Sequence, residues 1–301
     1  TQEGQPVQTT SNVVIGGIIA YAGEFGISQN PESFAVYGFR KYFTDKDKGS
    51  VMRLSQDGLS EISNFGMYDY FRDAFLTLGN GRAVGGWDIH NKCYTLSLQP
   101  TAPNTTPTTL SFDENVKGWT SRFSYIPNHI FSLQNNFYST KDGSIWQHYS
   151  AGVNRANFYG IQYDSTVKTI FNTNPSLVKS FQTINYEGGG NWQMTSLTTN
   201  EDKMVNQLDA NLPAISVFSI PLTLASMETA MLKNEFKRKE DKYFANLINT
   251  SGFAQGEVVY GKSISGVKGF FATVDMKATN TATSGTNELF SVSLDYNESS
   301  Y

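Results

Sequence analysis

The feature that most limits how this chain can fold is its punctuation. In "SFAVYGFRKYFTDKDKGSVMRLSQDGLSEIS" (33–63), the runs "SFAVYGF", "KYFT", "SVMRLS" and "LSEIS" are separated by turns rich in Gly and Asp. Period-two runs send side chains to opposite faces of a strand, and Gly and Asp supply the backbone conformations that reverse the chain. Consecutive strands with tight turns make an antiparallel meander. Composition agrees, with 21 Phe, 16 Tyr and 4 Trp beside abundant Thr, Ser, Asn and Gly. Aromatic and β-branched residues suit strands, and the small polar residues suit turns.

One segment breaks the period. "NFGMYDYFRDAFLTLGNG" (64–81) puts Met67, Phe71, Ala74, Phe75 and Leu78 on one helical stripe. Asn64 is the expected cap, and Gly79-Asn80-Gly81 supplies left-handed conformers to end the helix. Strands resume in "AVGGWDIHNKCYTLSLQ" (83–99), where Gly85-Gly86 relieves crowding and His90-Asn91-Lys92 marks a hairpin tip. After the Pro/Thr loop "PTAPNTTPTT" (100–109), strand-like runs continue through "SFQTINYEG" (180–188). Within 195–235, "MVNQLDANLP" and "ASMETAMLKNEF" are each candidates for a short helix, and the ending is again strand and turn.

An internal echo extends the pattern. "YFTDKDKGSVMRL" (42–54) resembles "FYSTKDGSIWQH" (137–148): an aromatic strand enters a Lys/Asp turn that closes on Gly-Ser. Recurring meanders of short strands suggest propeller blades. The expected fold is therefore mainly β, with antiparallel, propeller-like meanders and one or a few short helices. Residues 1–11 read as a linker or tail and 12–190 as a propeller-like meander domain. Residues 191–235 read as an irregular or helical insertion, and 236–301 as a β segment completing the same domain. The chain begins with Thr1, which suggests a processed chain or part of a longer one.

Charged residues make up 17% of the chain and the net charge is −4. No basic run would neutralise a phosphate backbone, which argues against sequence-specific nucleic-acid binding. The densest basic stretch, "FKRKEDK" (236–242), carries acids among its cations and reads as a solvated face. The one cysteine, Cys93, precludes an intramolecular disulfide and reads as a small buried hydrophobe. No transmembrane segment is expected. "VVIGGIIAYAG" (13–23) is too short, and "LPAISVFSIPLTLA" (212–225) holds Pro213 and Pro221.

Each search for chemistry favours a structural reading. Asp45 and Asp47 would fill the first two ligand positions of a calcium loop. Gly49, Ser50 and Gln56 then fail the remaining ones, so a hairpin turn is preferred to a surface cation site. His90, His129 and His148 lack zinc spacing, and no GxSxG marks a nucleophilic serine. Asp113, Glu114, Asp295 and Glu298 are neighbouring acids of the kind glycosidases pair. Trp87, Trp119, Trp146 and Trp192 could stack on sugars, and serve equally as core or interface. "YEGGGNW" (186–192) lacks the Lys-Ser/Thr of a phosphate loop. No catalytic, cofactor-binding or metal-binding residue is assigned, and no cofactor is expected.

Several blocks resemble a structural-protein family of tailed bacteriophages. They are "GEFGISQNPESFAVYGFRKYFTDKDKGSVMRLSQDGLSEISNFGMYDYFRD" (23–73), "LSFDENVKGWTSRFSYIPNHIFSLQNNFYSTKDGSIWQHY" (110–149), "NFYGIQYDSTVKTIFNTNPSLVKSFQTINYEG" (157–188) and the ending 256–301. Residues 1–22, 100–109 and 191–235 resemble it least. The relatives in crAss-like phages are muzzle or nozzle proteins of the tail, and the likeness is to their C-terminal part. The resemblance implies a non-enzymatic virion component, a homo-oligomeric ring that meets other tail proteins and closes the DNA exit channel. The alternatives are a module binding a host surface glycan or receptor and, behind it, a tail-associated glycan hydrolase.

Overall fold

The computed structural model describes residues 21, 23–200, 203–204, 236–247, 267–280 and 287–299. The two expected helices at 204–213 and 225–236 lie almost wholly outside the described residues. Contacts group the chain into two compact units, residues 1–151 and 152–301.

The first unit begins with the predicted meander. A short 3-10 turn, Pro31–Ser33, leads into β1 (Ala35–Tyr37), β2 (Arg40–Asp45), β3 (Ser50–Ser55) and β4 (Gly58–Glu61), antiparallel in chain order. Helix α1 spans Tyr68–Leu78. A second antiparallel meander follows in chain order: β5 (Arg82–Asp88), β6 (Cys93–Gln99), β7 (Thr108–Asp113) and β8 (Gly118–Phe123). The last sheet of this unit holds β9 (His129–Leu133), β10 (Asn136–Lys141) and β11 (Ser144–Gln147), with β10 in the middle.

The helix ends where the sequence expects, at Gly79 with φ 59°. Its start differs from expectation. Asn64 does not cap it; its amide donates to Glu61 Oε2 at 2.9 Å, and Gly66 at φ 75° turns the chain once more before Met67. The apolar stripe is as read. Phe71, Phe75 and Leu78 are buried, and Met67 and Ala74 pack beside them.

That stripe joins Tyr42, Val51, Ile62, Trp87, Tyr94, Leu96, Leu98, Leu110 and Phe112 in one core. Tyr42 stacks on both Trp87 and Tyr94, at 5.5 and 4.9 Å. The opposite face of β5–β8 is also covered. Thr95, Ser97, Thr109 and Ser111 are all buried there. Thr109 Oγ1 bonds Ser97 Oγ at 3.0 Å and donates to the Tyr125 carbonyl at 2.6 Å. The Gly85-Gly86 pair explains how both faces are approached closely. A Cβ at Gly85 would lie 2.1 Å from the Ser33 carbonyl oxygen, and one at Gly86 would lie 2.5 Å from Ile130 Cγ2 on β9.

The second unit opens with a small hairpin, β12 (Asn157–Phe158) and β13 (Ile161–Gln162). Its other strands are β14 (Ser165–Phe171), β15 (Lys179–Gly188), β16 (Trp192–Thr199), β17 (Lys203–Met204), β18 (Lys237–Lys239), β19 (Lys242–Asn246), β20 (Val267–Gly269), β21 (Ala272–Ala278) and β22 (Leu289–Glu298). One sheet runs β14-β21-β16-β17. In the other, β15 pairs with β19, β20 and β22, and β18 pairs with β19. The two sheets share a core of Phe181, Ile184, Tyr186, Trp192, Met194, Leu197, Val267, Val274 and Met276. Residues 192–199, assigned by sequence to the irregular stretch, form a strand. Trp192, Met194 and Leu197 hold it to the core across a bulge between Met194 and Ser196 that breaks strict alternation. The described residues are thus mainly antiparallel β with one α-helix.

Candidate functional site

The turn that resembles a calcium loop is a hairpin, and its acids are engaged by protein. Asp45 is only 4% exposed. Its Oδ2 accepts the Gly26 N–H at 2.9 Å, and its Oδ1 accepts the Lys48 N–H at 3.1 Å. Asp47 accepts the Ser28 hydroxyl at 2.7 Å, and the Lys46 ammonium donates to the Gly79 carbonyl. The two carboxylates therefore clasp the 26–28 segment. The echo at 137–148 is also a hairpin, β10–β11, closed by Asp142-Gly143 at φ 50° and 78°. Among the described residues, no group of three or more His, Cys, Asp or Glu is placed to hold a metal ion.

The three histidines occupy three different settings. His129 lies on β9, opposite Thr140. His90 sits at the β5–β6 hairpin tip, its ring stacked 4.2 Å from Tyr149. His148 Nε2 lies 2.7 Å from Ser139 Oγ. A serine beside a histidine suggests a nucleophile and its base, but the surroundings oppose that use. Ser139 is fully buried, and burial pulls His148 down to about 4. An imidazole that holds its proton only below about pH 4 is a weak base, and the Ser139 hydroxyl is closed off from solvent. Asp88, the acid whose charge His148 feels, is committed elsewhere. It accepts the Tyr149 hydroxyl at 2.6 Å, the Asn91 amide at 3.1 Å and the His90 and Asn91 N–H groups. Those bonds fasten the hairpin tip. Cys93 is buried as read, and burial, then the nearby Asp88 charge, pushes its thiol up to about 12.

The candidate carboxylates are divided between the two units. Asp113 accepts the Asn115 N–H at 2.7 Å. Glu114 is held by the Tyr42 hydroxyl at 2.7 Å and by Arg53 at 2.8 Å, an ion pair with little exposure. Burial, then the Glu114 hydrogen bond and charge, drive the Tyr42 hydroxyl well above its ordinary range. Asp295 and Glu298 belong to β22 in the other unit. Three of the four tryptophans face inward. Trp87 and Trp192 are buried, and Trp119 is half-buried with its indole N–H on the Ile62 carbonyl at 3.1 Å. Only Trp146, on β11, stands exposed. The glycine-rich turn joins β15 to β16. A Cβ at Gly188 would lie 2.3 Å from the Glu288 carbonyl oxygen, so these glycines permit close backbone approach.

Sequence reading missed Lys179. This side chain is 1% exposed. Its ammonium donates to the carbonyls of Asn174 and Leu177 at 3.0 Å each and to that of Phe270, and it sits 5.9 Å from the Tyr296 ring centroid. One cation thereby joins the loop before β15, the β20–β21 turn and β22. The available signal is its spacing: Lys179 precedes buried Phe181 by two residues, on the core face of β15.

Residues 153–250 match the family of the Crassvirus muzzle protein C-terminal domain. That third of the chain is similar to the muzzle domain. A search of curated proteins finds no match. The muzzle match begins at the second residue of the second unit and runs through 191–235, a stretch the sequence reading set apart. It supports a structural component of the crAss-like phage virion, located in the tail. Among the described residues, no helix is long and apolar enough to cross a membrane.

Proposed function

We propose that the chain is a subunit of a homo-oligomeric ring that closes the DNA exit channel at the end of the tail. The muzzle match over 153–250 carries this reading. Other observations support it. The meanders β1–β4 and β5–β8 are of the size used as blades, so the ring is read as a propeller-like arrangement of such units. Exposed Ile145, Ile170 and Phe290 offer apolar area for contacts with copies of the chain and with other tail proteins. With 17% charged residues and a net charge of −4, a channel wall of this composition would release few counterions from passing DNA and hold it weakly. Function would consist of burying interfaces and rearranging them on infection, with no bond chemistry. The hydrolase alternative has less support, because Glu114 is tied to Arg53 and Tyr42. Sedimentation velocity and negative-stain imaging of the full chain test the assembly. Closed rings of one size are expected, and monomers at every concentration would contradict it.

A further inference from the structure

The segment 34–39 exposes Phe34, Val36, Tyr37 and Phe39, the last at 76%. Tyr37 is held in place by stacking on Trp87 at 4.2 Å and 10°. Beyond it, the β1–β2 and β3–β4 turns lie at the same end of the meander. They enclose an open recess of about 280 Å³ lined by Tyr37, Phe39, Arg40, Gln56 and Asp57, among others. This is near the ~300 Å³ lower end of small-ligand sites. The side chains of Arg40, Gln56 and Asp57 make no hydrogen bond or ion pair with any described residue. Donors, acceptors and an aromatic platform thus line one recess, without a protein partner among the described residues.

We infer that this recess binds a neutral saccharide. A sugar ring presents an apolar C–H face and a rim of hydroxyls. The exposed Phe39 ring offers a surface for the C–H face. The Asp57 carboxylate accepts hydroxyl protons, the Arg40 guanidinium donates to hydroxyl oxygens, and the Gln56 amide does both. One cation and one anion leave the lining without net charge, which selects against phosphates and polyanions. An open recess suits a surface sugar more than an enclosed cofactor. The site lies in the first unit, outside the residues matched to the muzzle family, and does not depend on the ring reading.

The test uses the full chain against an array of methyl hexosides and N-acetylhexosaminides, with saturation-transfer NMR on those retained. At least one is expected to bind in the millimolar range. Phe39→Ala should weaken it about tenfold or more. Asp57→Asn should weaken it by less, and Trp146→Ala should leave it unchanged. Phe39 and Asp57 are exposed, so unchanged circular dichroism would show that the fold persists. Absence of binding across the array, or binding indifferent to Phe39→Ala, overturns the inference. Loss of self-association in Phe39→Ala without any saccharide binding also overturns it, and assigns the face to a protein contact.

Discussion

A lysine ammonium has three donors and no acceptor, and Lys179 directs its donors at three backbone carbonyls inside the second unit. Lys179→Met keeps the stem and strands those carbonyls. It should cost about 2–4 kcal/mol, read as a lower midpoint in urea. The residue was hidden in the sequence because a lysine is ordinarily read as exposed, and only its register with Phe181 places it inward. His148 supplies a pH dependence. Its folded value of about 4 lies below the ordinary 6.5, so the unfolded chain takes the proton first as pH falls. Its contribution is complete above pH 6.5 and is lost as pH falls through the folded value of about 4. The loss amounts to at most about 3 kcal/mol. Stability profiles of the protein and of His148→Gln should converge toward acid pH; parallel profiles would remove histidine from the account. No spacing rule marks Ser139 and His148 as neighbours, since the β10–β11 hairpin brings them together.

At the scale of elements, turns were the most legible part of the chain. Gly49 and Gly143 both adopt left-handed backbone, at φ 68° and 78°, so each resists a side chain. They differ in surroundings. A Cβ at Gly49 would sit 3.2 Å from Arg72 Cα on α1, whereas one at Gly143 meets nothing within 4 Å. Gly143→Ala should cost about 1 kcal/mol, and Gly49→Ala at least about 1 kcal/mol more, by thermal or chemical unfolding. Asp45 adds a third comparison. Its oxygens already accept two backbone N–H groups, so calcium should leave the melting temperature unchanged, while Asp45→Ala should lower it as the 26–28 segment is released. Strand faces were less legible. "CYTLSLQ" alternates as if one face met water, yet every residue from Cys93 to Leu98 is buried. On that second face Ser97 and Thr109 bond each other, and Thr109 also bonds the Tyr125 carbonyl, which lets these hydroxyls be buried. The α1 start was misplaced for a similar reason, because Glu61 captures the Asn64 amide.

At the scale of the whole molecule, sequence carried the β class and the structural character of the chain. The acids, histidines and tryptophans singled out by type turn out mostly to be bonded within their own unit, in contacts between residues distant in sequence that spacing does not encode. Arg53–Glu114 links the first meander to the β7–β8 turn, and Trp192 reaches the Glu288 carbonyl. What links the chain to a function is the similarity of residues 153–250 to the Crassvirus muzzle protein C-terminal domain. A cryo-EM map of the intact phage tail tests the central claim most directly. The account predicts that density for this polypeptide forms a closed ring of identical copies around the DNA exit channel. Density found elsewhere in the tail as isolated copies, or none in a complete virion, would contradict it.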